Sequence, residues 1–169
     1  MKDALAIHRW LLAHQVHHEI VRLPRPMKCA EELPATIGAE PERCVAVTVF
    51  EARARLGREV VAFVSTVAHP PSPGQVGRLL RVRSVRPAPA FVVNATTDYA
   101  AGLVSPLLLP RDLPLLVDDR LTGDGGFLFT PTGERRTALR LHALDLLRLL
   151  PGRSIELPAE AREAVAVRH

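Results

Sequence analysis

Residues 96–106 read Thr-Thr-Asp-Tyr-Ala-Ala-Gly-Leu-Val-Ser-Pro. Gly102 opens a short run that Pro106 closes, with Tyr99 three residues upstream. Glycine lets backbone N–H groups face a ligand with no side chain in the way, and proline holds the shape of the loop. Exposed N–H groups are what an ester carbonyl needs as it becomes an oxyanion. Glycine and proline also punctuate ordinary turns, so the run alone reads as a turn too.

Upstream, Ala4, Ile7, His8 and Leu11 recur at helical spacing, and Asp3 can cap the start of a helix over residues 4–14. Trp10 reads as core or rim packing. Residues 16–23 alternate as a half-buried strand does. Lys28-Cys-Ala-Glu-Glu-Leu begins a short helix near residues 28–37, with Pro34 marking a break or a first turn. Pro41-Glu-Arg then leads into an apolar strand over 44–50. A second strand follows over 59–66, and the polar connection 51–58 makes the pair a hairpin. Ser72-Pro-Gly-Gln combines a cap, proline at the first helical position and glutamine three residues after the cap. The helix it starts runs to about Arg83, with Val76, Leu79 and Leu80 inward. Pro87 and Pro89 frame a loop.

Residues 91–95 fit either a strand or a short helix. Strands are expected over 115–117, 127–129 and 137–141, and turns over 123–126 and 131–133. A helix over 142–150 stops at Pro151-Gly152. Residues 158–169 read as a terminal helix or a frayed end. Strands cluster through hairpins with helices between them, without strict alternation. That predicts an α+β fold with a mainly antiparallel sheet.

At 169 residues the chain fits a single domain spanning 1–169. Hydrophobic residues make up 47 %, enough for a core, and aromatics only 4 %, so the core is mostly Leu, Val and Ala. So few aromatics argue against stacking platforms for single-stranded nucleic acid. The net charge of +4 suits a polyanionic partner but does not require one. Cys29 and Cys44 lack Cys-x-x-Cys spacing and read as small apolar residues in a reducing compartment. No apolar run approaches the roughly 20 residues of a membrane span. No signal-peptide stretch opens the chain, so a cytoplasmic protein without membrane contact is expected.

Four groups invite chemistry. His14, His17 and His18 lie close in sequence, but His17 and His18 point to opposite faces of a strand, so no metal site is expected. Ser105 has no Gly-x-Ser-x-Gly elbow and no neighbouring His, which leaves a hydroxyl that positions a ligand or one that shapes the turn. Lys28, one of two lysines, is either a charged clamp or a plain surface residue. Arg53, Arg55 and Arg58 on the hairpin, and Arg78, Arg81, Arg83 and Arg86 on or after the capped helix, read as phosphate contacts or as a solvated charged face.

Taken in order, these segments resemble the YbaK/ProX family, the free-standing and inserted editing domains, including those associated with prolyl-tRNA synthetase, that hydrolyse mischarged aminoacyl-tRNA. The resemblance rests on the 102–106 loop, on Ile37-Gly38 and Pro41-Glu-Arg ahead of a hydrophobic strand, on Leu113-Pro-Leu-Leu-Val-Asp-Asp-Arg-Leu, and on the closing strand and helix over 139–150. It covers residues 4–150 and leaves 151–169 as an extension. It implies a curved, partly barrel-like mixed sheet surrounded by helices, and a deacylase that needs no cofactor and no protein nucleophile.

The resemblance makes the backbone at Gly102, with Ser105 beside it, the catalytic loop. Val45, Ala46, Val47, Leu103, Pro106 and Lys28 would contact the aminoacyl group, and an apolar wall suits a small amino acid. Arg53, Arg55, Arg58, Arg78 and Arg81 would contact tRNA; a synthetase is a further partner. The family usually carries a lysine at the third position of the strand after Pro-Glu-Arg, where this chain has Ala46. Many members also have a second glycine where this chain has Leu103. The alternative reading is therefore a catalytically weakened member that binds the acceptor end, a synthetase or an aminoacyl ligand without hydrolysis.

Overall fold

A computed structural model describes residues 1–122 and 125–159. Residues 123 and 124 of the expected turn and residues 160–169 of the expected terminal helix lie outside the described residues. Helix α1 (Ala4–Ala13) starts where Asp3 accepts a hydrogen bond from the Ala6 amide, and it buries Ala4, Ile7 and Leu11. Strand β1 (His18–Arg22) follows. The interrupted helix resolves into a single turn of tighter helix, Ala30–Glu32, running into α2 (Leu33–Ile37). Pro34 sits in the first turn of α2, where its missing N–H costs nothing, and Gly38 ends that helix at φ 69.

Strands β2 (Val45–Ala54) and β3 (Gly57–Thr66) form the central hairpin. The polar stretch 51–58 is not a loop, as expected from its charge. Both strands run through it, leaving only Arg55 and Leu56 as the turn. Helix α3 (Pro73–Leu80) carries both halves of the capping box: the Gln75 amide donates to Ser72 Oγ, and the Ser72 amide to Gln75 Oε1. It ends at Leu80 rather than Arg83, because Arg81 takes a left-handed conformation. A short strand β4 (Val85–Pro87), not foreseen, pairs with β2. The ambiguous 91–95 stretch is helical, within α4 (Ala90–Thr97).

Five strands order as β4-β2-β3-β5-β8, with β5 Leu115–Asp118 and β8 Arg153–Ile155. The pairings of β3 with β5 and of β5 with β8 are parallel; the rest are antiparallel. A second sheet orders as β1-β7-β6, with β6 Phe127–Pro131 and β7 Thr137–His142. Helix α5 (Ala143–Leu149) follows β7. The two sheets meet at a parallel bridge between Cys44 and Phe129, so the whole curves without closing into a barrel.

The sides of β2 divide the interior. Val45 and Val49 join the main core with Ile7, Leu11, Val104, Leu107 and Leu139. Phe50 joins a second cluster with Val61, Phe63 and Val76 beneath α3. At the end of β5, the buried Asp118 carboxylate accepts from the Arg120 amide and guanidinium, which compensates its burial. Among the described residues no helix is long and apolar enough to cross a membrane.

Cys44 is fully buried at the seam between the sheets, and burial pushes its thiol from 9.0 up to about 12. The unfolded chain therefore loses this proton first. Stability is complete below pH 9 and falls as pH rises from 9 towards 12. Denaturant titrations across that window should show this fall in the native chain and a flatter profile in Cys44→Ala, after its constant cavity cost is subtracted.

Candidate active-site loop

The segment after α4 is shaped by three left-handed residues: Asp98 at φ 60, Gly102 at φ 84 and Leu108 at φ 59. Two of them are not glycine, so the surrounding structure must hold them there. Tyr99 supplies much of that hold. It is fully buried, and its hydroxyl donates to the Leu107 carbonyl at 2.7 Å. Burial raises the phenol's pKa, an effect that a hydrogen bond with Ser105 partly offsets. The Tyr99 amide donates to Thr97 Oγ1 at 3.2 Å, and the Ala101 amide to Asn94 Oδ1 at 2.7 Å. Helix α4 thus anchors the start of the loop through side chains on its inner face.

Lys2 closes the frame from outside the segment. Its ammonium donates to the carbonyls of Thr97 and Leu108, the two flanks of the loop, and lies 5.1 Å from the centre of the Tyr99 ring. Burial lowers its pKa, and Asp98 acts against that shift. Gly133, in the turn between β6 and β7, packs on the same place. A Cβ there would stand 2.6 Å from the Lys2 carbonyl and 2.8 Å from the Tyr99 ring. Neither Lys2 nor Gly133 is visible as a loop residue in the sequence, since each lies at least 25 positions away along the chain.

Gly102 sits against residues 28 and 29. Its carbonyl accepts from the Ala30 amide at 2.9 Å, and a Cβ would lie 3.0 Å from the Lys28 carbonyl. The Leu103 amide donates to the Ala100 carbonyl. Among the described residues, the N–H groups of Gly102, Val104 and Ser105 donate to no protein acceptor. Lys28 is exposed, and its own amide donates to Glu32 Oε2.

The loop meets β2 at its first residues. Leu103 shares a buried cluster with Cys44, Met27 and Leu33, while Val104 shares the main core with Val45. Val45, Ala46 and Val47 do not form one wall. Successive residues of a strand face opposite sides, so Ala46 turns away from Val45 and Val47. Ala46 is paired in register with Ser65, and Val45 with Thr66. Thr66 Oγ1 is a buried side-chain oxygen with no partner, a feature with no signal in the sequence. Ser105 is fully buried, and its hydroxyl accepts from the Leu107 amide at 3.2 Å. It faces the loop's own backbone. Pro106 is buried beside it.

The arginines lie elsewhere. Arg53 and Arg58 face each other across β2 and β3 and, with Glu51, Ser84 and Arg86, line a cavity of about 200 Å³. Arg78 and Arg81 line a second cavity of about 450 Å³ together with Arg83. Arg55 is in the hairpin turn. A third cavity, about 360 Å³, holds His17, His18, Phe127 and His142. There His18 Nδ1 bonds the Val16 carbonyl, which leaves Nε2 to accept from His8 Nδ1 at 2.8 Å. No three His, Cys, Asp or Glu side chains converge as metal ligands among the described residues. Neither Gly102 nor Ala46 lines any of these three cavities.

Comparison with known proteins adds to this geometry. The family model described as "Aminoacyl-tRNA editing domain" matches residues 24–149. The fold is similar to that of the hypothetical protein APE2540, at 20 % identity and a TM-score of 0.75, covering 89 % of this chain and 97 % of that one. A scaffold protein used for computational epitope grafting is similar at 23 % identity and a TM-score of 0.72, covering 91 % and 95 %. A candidate trans-editing enzyme for prolyl tRNA synthetase is similar at 26 % identity and a TM-score of 0.70, covering 85 % and 88 %. No curated protein matches the chain.

Gly102→Ala tests how tightly the loop is set. The new Cβ would be strained at φ 84 and would press on a backbone carbonyl that cannot swing away. Chemical denaturation should show a loss of roughly 1–3 kcal/mol. Gly38→Ala, at φ 69 with open space around its Cβ, should lose less.

Proposed function

Because the chain belongs to the aminoacyl-tRNA editing domain family, we propose that it hydrolyses, in trans, the ester of a mischarged tRNA carrying a small amino acid. The observation that carries this reading is the set of N–H groups at Gly102, Val104 and Ser105 without protein acceptors, held in place by Tyr99, Asn94 and Lys2. In the proposed reaction a water attacks the ester carbonyl, and the carbonyl oxygen gains negative charge. In this reading those N–H groups would donate to that oxygen; donors held in place beforehand stabilise it without reorganising, and removal of one such donor typically costs about 10²–10³ in rate. The tetrahedral intermediate then collapses. The ribose oxygen leaves with the proton given up by the water, and the neighbouring ribose hydroxyl can relay it.

In this reading Gly102 supplies the backbone donor. Ser105 acts as a positioning residue through its bond to the Leu107 amide. Leu103, Pro106 and Ala46 would set the size of the aminoacyl pocket, while Val45 and Val47 pack into the main core on the other face of β2. One methylene is worth only about 1–3 kcal/mol of discrimination, which is why a separate hydrolytic step for small amino acids is useful. Lys28, an exposed residue whose backbone carbonyl packs against Gly102, would supply the positive charge that the family draws from its strand lysine. Arg53, Arg55, Arg58, Arg78 and Arg81 would hold tRNA phosphates. The candidate trans-editing neighbour suggests prolyl-tRNA synthetase as the enzyme whose products are corrected.

Ala46 favours a second reading. It is buried opposite Ser65 and carries no charge, so a chain relying on the strand lysine would bind the aminoacyl end and not cleave it.

A panel of mischarged tRNAs separates the two, with alanine, serine and cysteine tested first. The proposal expects turnover above buffer on at least one of them, strongly reduced in Gly102→Val. The second reading holds if the native chain binds without turnover and Ala46→Lys creates activity. Lys28→Ala should reduce kcat if that ammonium serves the reaction, and leave it unchanged if the side chain is only a surface charge.

A further inference from the structure

The arginine cavities flank the edge strand β4 from both sides. Ser84 and Arg86 line one, Arg83 and Val85 the other, as the alternation of a strand requires. In the first cavity three guanidiniums face a single carboxylate, Glu51. That carboxylate is buried and already taken by Arg86, at 2.7 Å. Arg53 and Arg58 stand directly opposite each other on β2 and β3, and among the described residues neither has an ion-pair partner. Like charges directly opposite on antiparallel strands destabilise a sheet. The second cavity is lined by Arg78, Arg81 and Arg83 with no acidic residue.

Charges on an edge strand can serve simply to prevent sheet-to-sheet aggregation. That explanation covers Arg86 but not the direct facing of Arg53 and Arg58, which sit at the turn end of the β2–β3 hairpin, beyond the residues of β3 that pair with β5. A local rule broken without an internal partner points to an external one.

We propose that this edge docks the duplex stem of tRNA, with Arg53, Arg58 and Arg86 seating backbone phosphate on one side of β4 and Arg78, Arg81 and Arg83 on the other. The identity of the nucleic acid rests on the editing reading above. The position on the RNA follows from the strand as a ruler. Arg53 lies seven residues beyond Ala46 on β2, or about 23 Å at the rise of an extended strand. With the terminal ribose at the start of β2, the arginines reach back past the single-stranded end to the paired stem. Contacts there read shape and phosphate, not sequence.

The test uses the full chain and three RNA probes: uncharged tRNA, a hairpin reproducing an acceptor stem, and a single-stranded oligonucleotide of the acceptor end. The double variant Arg53→Gln/Arg58→Gln should bind the tRNA and the hairpin at least tenfold more weakly. Its log–log salt slope should be shallower by about 2, one unit per lost phosphate contact. Binding of the single strand should not change. The melting temperature should hold or rise, because repulsion between the two arginines is removed. On an active substrate, KM should rise and kcat should stay the same.

Native affinity for both duplex probes overturns the proposal. So does weaker binding to all three probes alike, or a loss confined to an acidic protein partner while RNA binding persists. If no mischarged tRNA is hydrolysed but duplex binding still depends on these arginines, the deacylase reading falls and the docking surface stands.

Discussion

The hydrogen bond from the Tyr99 hydroxyl to the Leu107 carbonyl ties the candidate site together. A buried phenol without a partner would cost about 1–3 kcal/mol, so this acceptor fixes where the chain must return after the glycine loop. Everything else at the site is arranged around the ring. Lys2 lies over it and bonds the flanks of the loop, Gly133 packs close because it has no side chain, and Ser105 turns its hydroxyl inward. The side-chain hydrogen bonds inside the loop hold its shape, and among the described residues the N–H groups of Gly102, Val104 and Ser105 have no protein acceptor.

This distribution suits an enzyme whose reaction needs positioned donors more than reactive side chains. Both thiols are raised by burial, Cys29 also by Glu31, so neither is an activated nucleophile. Ser105 is buried against its own backbone. A preorganised backbone costs nothing to reorganise during the reaction, but it discriminates weakly by itself. Under the proposed reaction, selectivity would fall to the apolar residues around it and to whatever holds the rest of the substrate. A second contact region on the arginine-flanked edge of the sheet would add binding energy at a distance from the reacting bond.

Local features of the fold were legible where local physics decides them. The Asp3 cap, the Ser72 capping box and the proline in the first turn of α2 all follow from nearest neighbours in sequence, whereas the short strands β4 and β8 do not. The helix α4 was ambiguous because its Val and Thr residues suit strands as well as a short buried helix, and tertiary packing overrode that preference. Charge made 51–58 look like a loop, yet the hairpin continues through it, because the backbones of β2 and β3 pair up to Ala54 and Gly57 while Arg53 and Arg58 stay exposed.

By itself, the sequence determined the class of the fold and the family. These depend on residue type and spacing within short segments, which survive without coordinates. Only the tertiary structure decided which residues share a surface. Val45 and Ala46 are neighbours in sequence but lie on opposite faces of β2, while Lys2, Tyr99 and Gly133 are distant in sequence and pack together. The pairing of Arg53 with Arg58, and their union with Arg86, required the register of three strands. Register is set by hydrogen bonds and core packing between segments, and no single segment carries that information.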